Sequence, residues 1–156
     1  MEPLKILIVD DSLTIRAMLE EILAREAHFE ICGMASSGDE ALAMANRSLP
    51  DVILLDLGLP GINGIEFLDA VHDHWHKMHV IVVSSSAVKN SPRCREAFDH
   101  GAEACFNKAR IVQASSELTA LIEEVAKERF RRGNHKGDAV TLPSRAPATT
   151  ESPAQK

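Results

Sequence analysis

Apolar residues fall into two patterns along this chain: short unbroken runs, and longer stretches that carry a single apolar stripe. The runs are Leu4–Val9 (LKILIV), Val52–Leu55 inside DVILLD, and Val80–Val83 inside HVIVVS. All are rich in Val, Ile and Leu without clean alternation, as parallel strands covered on both faces are. Weaker runs at Phe29–Met34 and Ala104–Asn107 bring the expected strands to five. Between the runs the period lengthens. Ile15, Met18, Leu19, Ile22 and Leu23 recur at helical spacing, giving one stripe to face a sheet. Ser37 with Glu40 has capping-box spacing ahead of Ala41, Leu42 and Ala45. Asn63 with Glu66 offers a similar start for a helix carrying Leu68, Val71 and Trp75. Ser91-Pro92 reads as a cap followed by proline at the first helical position, and Leu118, Leu121, Ile122 and Val125 mark the last helix. Strand and helix thus alternate five times, which predicts an α/β fold: a parallel sheet with helices on both faces and right-handed crossovers.

From Gly133 onward the pattern dissolves into a segment rich in Ser, Thr, Pro and Ala. With so few large apolar residues it cannot bury enough surface to order itself, so one domain over 1–132 and a disordered tail over 133–156 are expected. Hydrophobic residues make up 45% and charged residues 26%, the balance of an ordinary globular chain. The net charge of -6 is uneven: residues 127–156 hold seven Lys/Arg against three Asp/Glu, leaving ten against twenty in the preceding part. An acidic body repels polyanions, so DNA is not the expected partner. No opening basic segment precedes an apolar stretch and no run is long enough to span a bilayer, so no membrane insertion and a cytoplasmic address are expected. Cys32, Cys94 and Cys105 form an odd set without C-x-x-C spacing, which fits reduced packing thiols.

In open α/β sheets, ligands bind beyond the carboxyl ends of the strands. The residues just after each run are therefore informative. Asp10-Asp11 come after the first, Asp56 after the third, Ser84 after the fourth and Lys108 after the fifth. Carboxylates held together repel: at an effective dielectric of about 20, two unit charges roughly 4 Å apart cost about 4 kcal/mol. Such a site calls for a cation, and hard oxygen donors without His or Cys select Mg²⁺, with Ca²⁺ or Mn²⁺ as substitutes. Lys108 and Ser84 add a fixed positive charge and a hydroxyl, suited to the oxygens of a transferring phosphoryl group. An Asp carboxylate can serve as the nucleophile, and Asp56 alone ends the central strand.

At these residues the chain resembles the receiver domain of bacterial response regulators, over roughly Leu4 to Phe130. The resemblance rests on IVDDS after the first strand, LLDLGLPGINGIEF from the third strand into the third helix, VVSSSA after the fourth strand, and GAEACFNK at the fifth. It implies a flavodoxin-like (βα)5 sandwich with strand order 2-1-3-4-5. It also implies that Asp56 is phosphorylated, that Asp11, Asp56 and the Gly58 carbonyl ligate Mg²⁺, and that Asp10 acts through a water. Ser84 would reorient toward the phosphoryl group and Lys108 would pair with it. The donor would be a histidine kinase, a phosphotransfer protein or a small acyl phosphate, and the readout face would be helix four, strand five and helix five. Because no second domain is evident, output is expected through another protein or by passing the phosphoryl group onward. The chain would then be no enzyme beyond promoting its own phosphorylation and dephosphorylation. Two positions depart from the common receiver pattern: Ala109 where proline usually follows the lysine, and Cys105 where an aromatic residue usually lies three before it. Phe106 should point to the opposite face.

Other readings compete. A receiver-fold adaptor that binds partners without being phosphorylated is the main alternative. An aspartate-nucleophile phosphatase is disfavoured, since Asp10-Asp11-Ser12 is not the D-x-D arrangement such enzymes place after their first strand. Gly58, Gly61 and Gly64 give G-x-x-G-x-x-G, interrupted by Pro60, which suits turns and not a dinucleotide loop. His72, His74, His76 and His79 read as a solvated helix end and not as a zinc site. Lys127, Arg129, Arg131 and Arg132 complement the dipole at the last helix end, with docking of an acidic partner or nucleotide as the sharper alternative.

Overall fold

The computed structural model describes residues 2–75, 77–85 and 91–134, with side chains described as far as Lys127. Strands β1 (Leu4–Val9), β2 (Phe29–Ala35), β3 (Val52–Leu55), β4 (His79–Ser84) and β5 (Ala104–Asn107) pair in parallel in the order β2-β1-β3-β4-β5. Five helices connect or follow them: α1 (Leu13–Ala24), α2 (Gly38–Ser48), α3 (Gly64–His74), α4 (Pro92–Asp99) and α5 (Ser115–Asn134). This is the flavodoxin-like receiver arrangement the resemblance implied. β1 and β3 have the spans expected from the sequence, β4 starts one residue early at His79, and the register of β1 against β2 slips between Ile6 and Leu7.

Alternation along the strands sorts the core into two halves. Ile6, Ile8, Val52, Leu54, Ile81, Val83 and Phe106 face one way, against Leu19, Ile22 and Leu23 of α1 and Leu118, Ile122 and Val125 of α5. Leu7, Val9, Ile53, Leu55, Val80 and Val82 face the other, against Ala41 and Ala45 of α2, Phe67, Leu68 and Val71 of α3, and Ala97 of α4. All four residues of β3 are buried, which explains why its run shows no polar alternation. Burying one such Leu or Ile contributes roughly 1.5–3 kcal/mol.

Local signals start α2, α3 and α4 where the sequence placed them. Ser37, Asn63 and Ser91 are N-caps, Pro92 opens α4, and Ser12 caps α1 without having been expected to. Asn63 and Glu66 form a full capping box. Ser37 caps Glu40 N, but the Glu40 carboxylate reaches one residue further back, to the Ser36 amide at 2.8 Å and its hydroxyl at 3.1 Å. The expected reciprocal pair is therefore only half made. Gly61 adopts φ +72, and a Cβ on Gly64 would stand 2.5 Å from Leu57 Cα, so the glycines form a tight turn after β3.

α5 runs through Asn134, and the expected tail from 135 lies outside the described residues. One expectation needs correction: His79 is not part of a solvated helix end. It opens β4 with 1% exposure, and its Nδ1 bonds Glu103 Oε2. His76 lies outside the described residues, as do the side chains of Arg129, Arg131 and Arg132. The three cysteines are free thiols, with Cys94 buried and Cys32 and Cys105 half-buried.

Candidate functional site

β1 runs on through α1 to β2 at the sheet edge, and the chain then crosses back to β3 on the other side of β1. Their carboxyl ends therefore border the point where strand order reverses. Two ladder bonds fix the first acids there: Asp10 N donates to Ala35 O at 3.0 Å, and Asp56 N to Val9 O at 2.9 Å. Carboxylate oxygens of Asp10, Asp11 and Asp56 lie within 4.8 Å of one another. Asp10 and Asp56 are buried, whereas Asp11 is exposed.

Lys108 reaches this trio from β5. Asn107 ends that strand, and its Oδ1 accepts a bond from Ala109 N at 2.9 Å, capping the short 3-10 turn Lys108–Arg110. Proline at 109 would lack this N–H, so the departure from the common pattern gives the turn its cap. The Lys108 ammonium stands 2.8 Å from Asp10 Oδ2 and 3.3 Å from Asp56 Oδ2. Asp10 Oδ1 accepts from Ser12 N at 2.9 Å, and Ser12 Oγ in turn accepts from Ile15 N at 3.2 Å. One serine thus orients the acid and starts α1, whose positive dipole end lies at the same rim.

Among the described residues three carboxylates face one ammonium, and the titration of the groups reflects the excess. Burial pushes Asp56 above the ordinary carboxylate range, and the negative charge of Asp10 raises it further. Lys108 and the Gly58 N–H, 3.3 Å from Asp56 Oδ1, pull it part of the way back. For Lys108, burial favours the neutral amine, but its hydrogen bond to Asp10 and the charges of Asp56 and Asp10 outweigh this and hold the ammonium up. A crevice of hard oxygens with unbalanced negative charge fits a Mg²⁺-like ion. Asp11 and Asp56 are suited to direct ligation, whereas both oxygens of Asp10 are held more closely, at 2.9 and 2.8 Å against 3.3 Å for both Asp56 contacts, which suits a role through water. Gly58 is exposed beside Asp56, with open space where a side chain would be.

Ser84 is buried at the end of β4, opposite Asn107 in register and hence on the same rim as Lys108. The next segment, residues 86–90, lies outside the described residues. Sequence reasoning missed Arg16, whose Nη1 donates to the Asp10 carbonyl at 2.8 Å. Its only signal was a position one helical turn beyond the acid pair. A second donor group, Glu26, His28 and Glu123, lies apart from this crevice; His28 Nε2 and Glu123 Oε2 already pair at 2.7 Å, half exposed, and no metal site is assigned to it.

The sequence profile of the response regulator receiver domain matches residues 6–123. The chain belongs to this family. Among its relatives is a protein-glutamate methylesterase/protein-glutamine glutaminase of Rhodopseudomonas palustris, 34% identical over 83% of this chain. This receiver chain spans only 37% of that relative's length. The receiver also resembles the response regulator domain of Thermotoga maritima CheB, with 30% identity, a TM-score of 0.77, and coverage of 81% of this chain and 98% of that one. A further similar structure, from R. sphaeroides, is the P1 domain of CheA3 in complex with CheY6, with 28% identity, a TM-score of 0.68, and coverage of 80% and 98%. No helix among the described residues is long and apolar enough to cross a membrane.

Proposed function

We propose that this receiver is a Mg²⁺-dependent phosphoacceptor, modified on Asp56 by a histidine kinase or phosphotransfer protein, and that modification switches its binding to a partner protein. The meeting of Asp10, Asp11, Asp56 and Lys108 in one crevice carries this reading. Bound Mg²⁺, held by Asp11, Asp56 and the Gly58 carbonyl, would neutralise charge on the phosphoryl oxygens. An Asp56 carboxylate oxygen attacks phosphorus, and the bond from phosphorus to the donor nitrogen, or to the acyl oxygen of a small donor, breaks with its electrons staying on the donor. Lys108 then pairs with the new phosphoryl oxygens and Ser84 donates its hydroxyl to them. The similarity to a structure that pairs CheY6 with the P1 domain of CheA3 supports a kinase-type donor.

An acyl phosphate adds negative charge and acceptor oxygens at the ends of β4 and β5. Pulling Ser84 and Lys108 toward it biases α4, β5 and α5, the proposed readout face. Moving a switch from 1:99 to 99:1 takes about 5.5 kcal/mol of differential stabilisation, within reach of the metal and a few charge-assisted bonds. The chain's own chemistry is confined to gaining and losing this group, in a cytoplasmic setting.

One observation favours a second reading, an adaptor that is never phosphorylated. Cys105 occupies the place of the usual aromatic residue; burial first and the neighbouring Cys94 thiol of α4 second raise its pKa. Acetyl phosphate and Mg²⁺ separate the two. An acid-stable, hydroxylamine-labile mass increase of one phosphoryl group, absent from Asp56→Asn, is the expected result. A wild type that stays unmodified with this donor and with a phosphorylated kinase domain establishes the adaptor.

A further inference from the structure

The sheet ladder ends at Asp10. Its N–H is the last bond to β2, and the Val9 carbonyl before it is taken by Asp56 N. The Asp10 carbonyl is thus the first on β1 to leave the sheet, and the peptide it belongs to carries Asp11. Left without a partner, that peptide could rotate and carry the Asp11 carboxylate with it. Arg16 Nη1 closes this freedom at 2.8 Å, from one turn inside α1, with a charge-assisted bond. Its side chain is half-buried and is also drawn toward α2: Glu40 lies below the ordinary carboxylate range chiefly through the Ser36 amide and hydroxyl, with a smaller pull from the Arg16 charge. Asp11, in contrast, has no hydrogen-bond partner for its carboxylate among the described residues, although its oxygens lie within 4.8 Å of those of Asp10 and Asp56.

We propose that Arg16 is a positioning residue for the divalent-ion site, holding the Asp10–Asp11 peptide so that the Asp11 carboxylate faces Asp56. The proposal rests on the phosphoacceptor reading and adds to it a residue that touches neither metal nor phosphoryl group. Its sign is opposite to that of simple electrostatics. Removing a cation near a metal site weakens repulsion, so a Coulombic view predicts tighter Mg²⁺ binding in Arg16→Gln. Loss of positioning predicts weaker binding, by about tenfold, in the range found when groups that orient metal ligands are removed.

The test is calorimetric titration of the unphosphorylated full chain with MgCl₂, comparing wild type, Arg16→Gln, Arg16→Lys and Arg25→Gln. Arg25 pairs weakly with Glu21 at the far end of α1 and serves as the charge control. The expected result is an approximately tenfold rise in Kd for Arg16→Gln, a smaller rise for Arg16→Lys, which keeps the charge but loses the planar fork, and none for Arg25→Gln. In acetyl phosphate labelling, the Mg²⁺ concentration for half-maximal rate should rise in parallel, while the rate at saturating Mg²⁺ stays at the wild-type value. If Arg16→Gln does not fold, Arg16→Lys carries the test. Unchanged or tighter binding in the folded variants overturns the positioning role and leaves the phosphoacceptor reading standing. Absence of Mg²⁺ binding in wild type overturns both and is visible in that arm alone.

Discussion

Buried ionisable groups sit at both ends of the strands, and their surroundings differ. At the carboxyl ends, the carboxylates of Asp10, Asp11 and Asp56 meet, among the described residues, the one ammonium of Lys108, and the Asp11 carboxylate is exposed. At the amino end of β4, His79 Nδ1 bonds Glu103 Oε2, with the histidine side chain 1% exposed and the glutamate 14%. Among the described residues, His79 Nε2 is buried without a hydrogen-bond partner. Incomplete neutralisation at a rim invites a cation and a reacting anion. The buried His79–Glu103 hydrogen bond ties β4 to the start of β5 and leaves solvent little access. On the proposed reading, the same side-chain types serve chemistry at one edge and architecture at the other, and access from solvent distinguishes the two.

That contrast can be broken most forcefully from the architectural side. His79→Ala should cost roughly 3 kcal/mol of stability, through the cavity it leaves and the hydrogen bond to Glu103 that it removes. Denaturant unfolding measures this, and Mg²⁺ affinity of the folded fraction should stay at the wild-type value; a matching loss of affinity would mean that the edges are coupled. On the crevice side, Mg²⁺ at about 100 times its Kd should add about 2.7 kcal/mol, and this gain should vanish in Asp11→Ala. Equal stabilisation of both proteins would place the ion elsewhere.

The smallest effect concerns Asp56 itself. Its pKa is raised in the folded state, so between the ordinary carboxylate value and that raised value the folded chain binds more protons than the unfolded one. Stability should therefore fall as pH rises through this window without metal. Asp56→Asn should flatten the slope and stabilise the fold at neutral pH, seen as a rise in melting temperature. Thermal melts from about pH 4 to about pH 7, with and without Mg²⁺, read both, since the ion should cancel the slope in wild type.

Local patterns determined much of this molecule. The runs at Leu4–Val9 and Val52–Leu55 became strands at their expected bounds, and Ser91-Pro92 and the Asn63–Glu66 box became helix starts. These are set by periodicity and caps, which act over a few neighbouring residues. The rim acids and Lys108 were legible too, because a parallel sheet brings every carboxyl end to one side. Other features depended on distances between elements. No spacing reveals that the guanidinium of Arg16 meets a carbonyl left free where the ladder stops, or that Lys108 already bridges Asp10 and Asp56. His79 looked like one more histidine after a helix, until the strand pairing drew it under the sheet against Glu103. Sequence pattern reports which face a residue occupies; which partner waits on that face is decided only when separate segments pack.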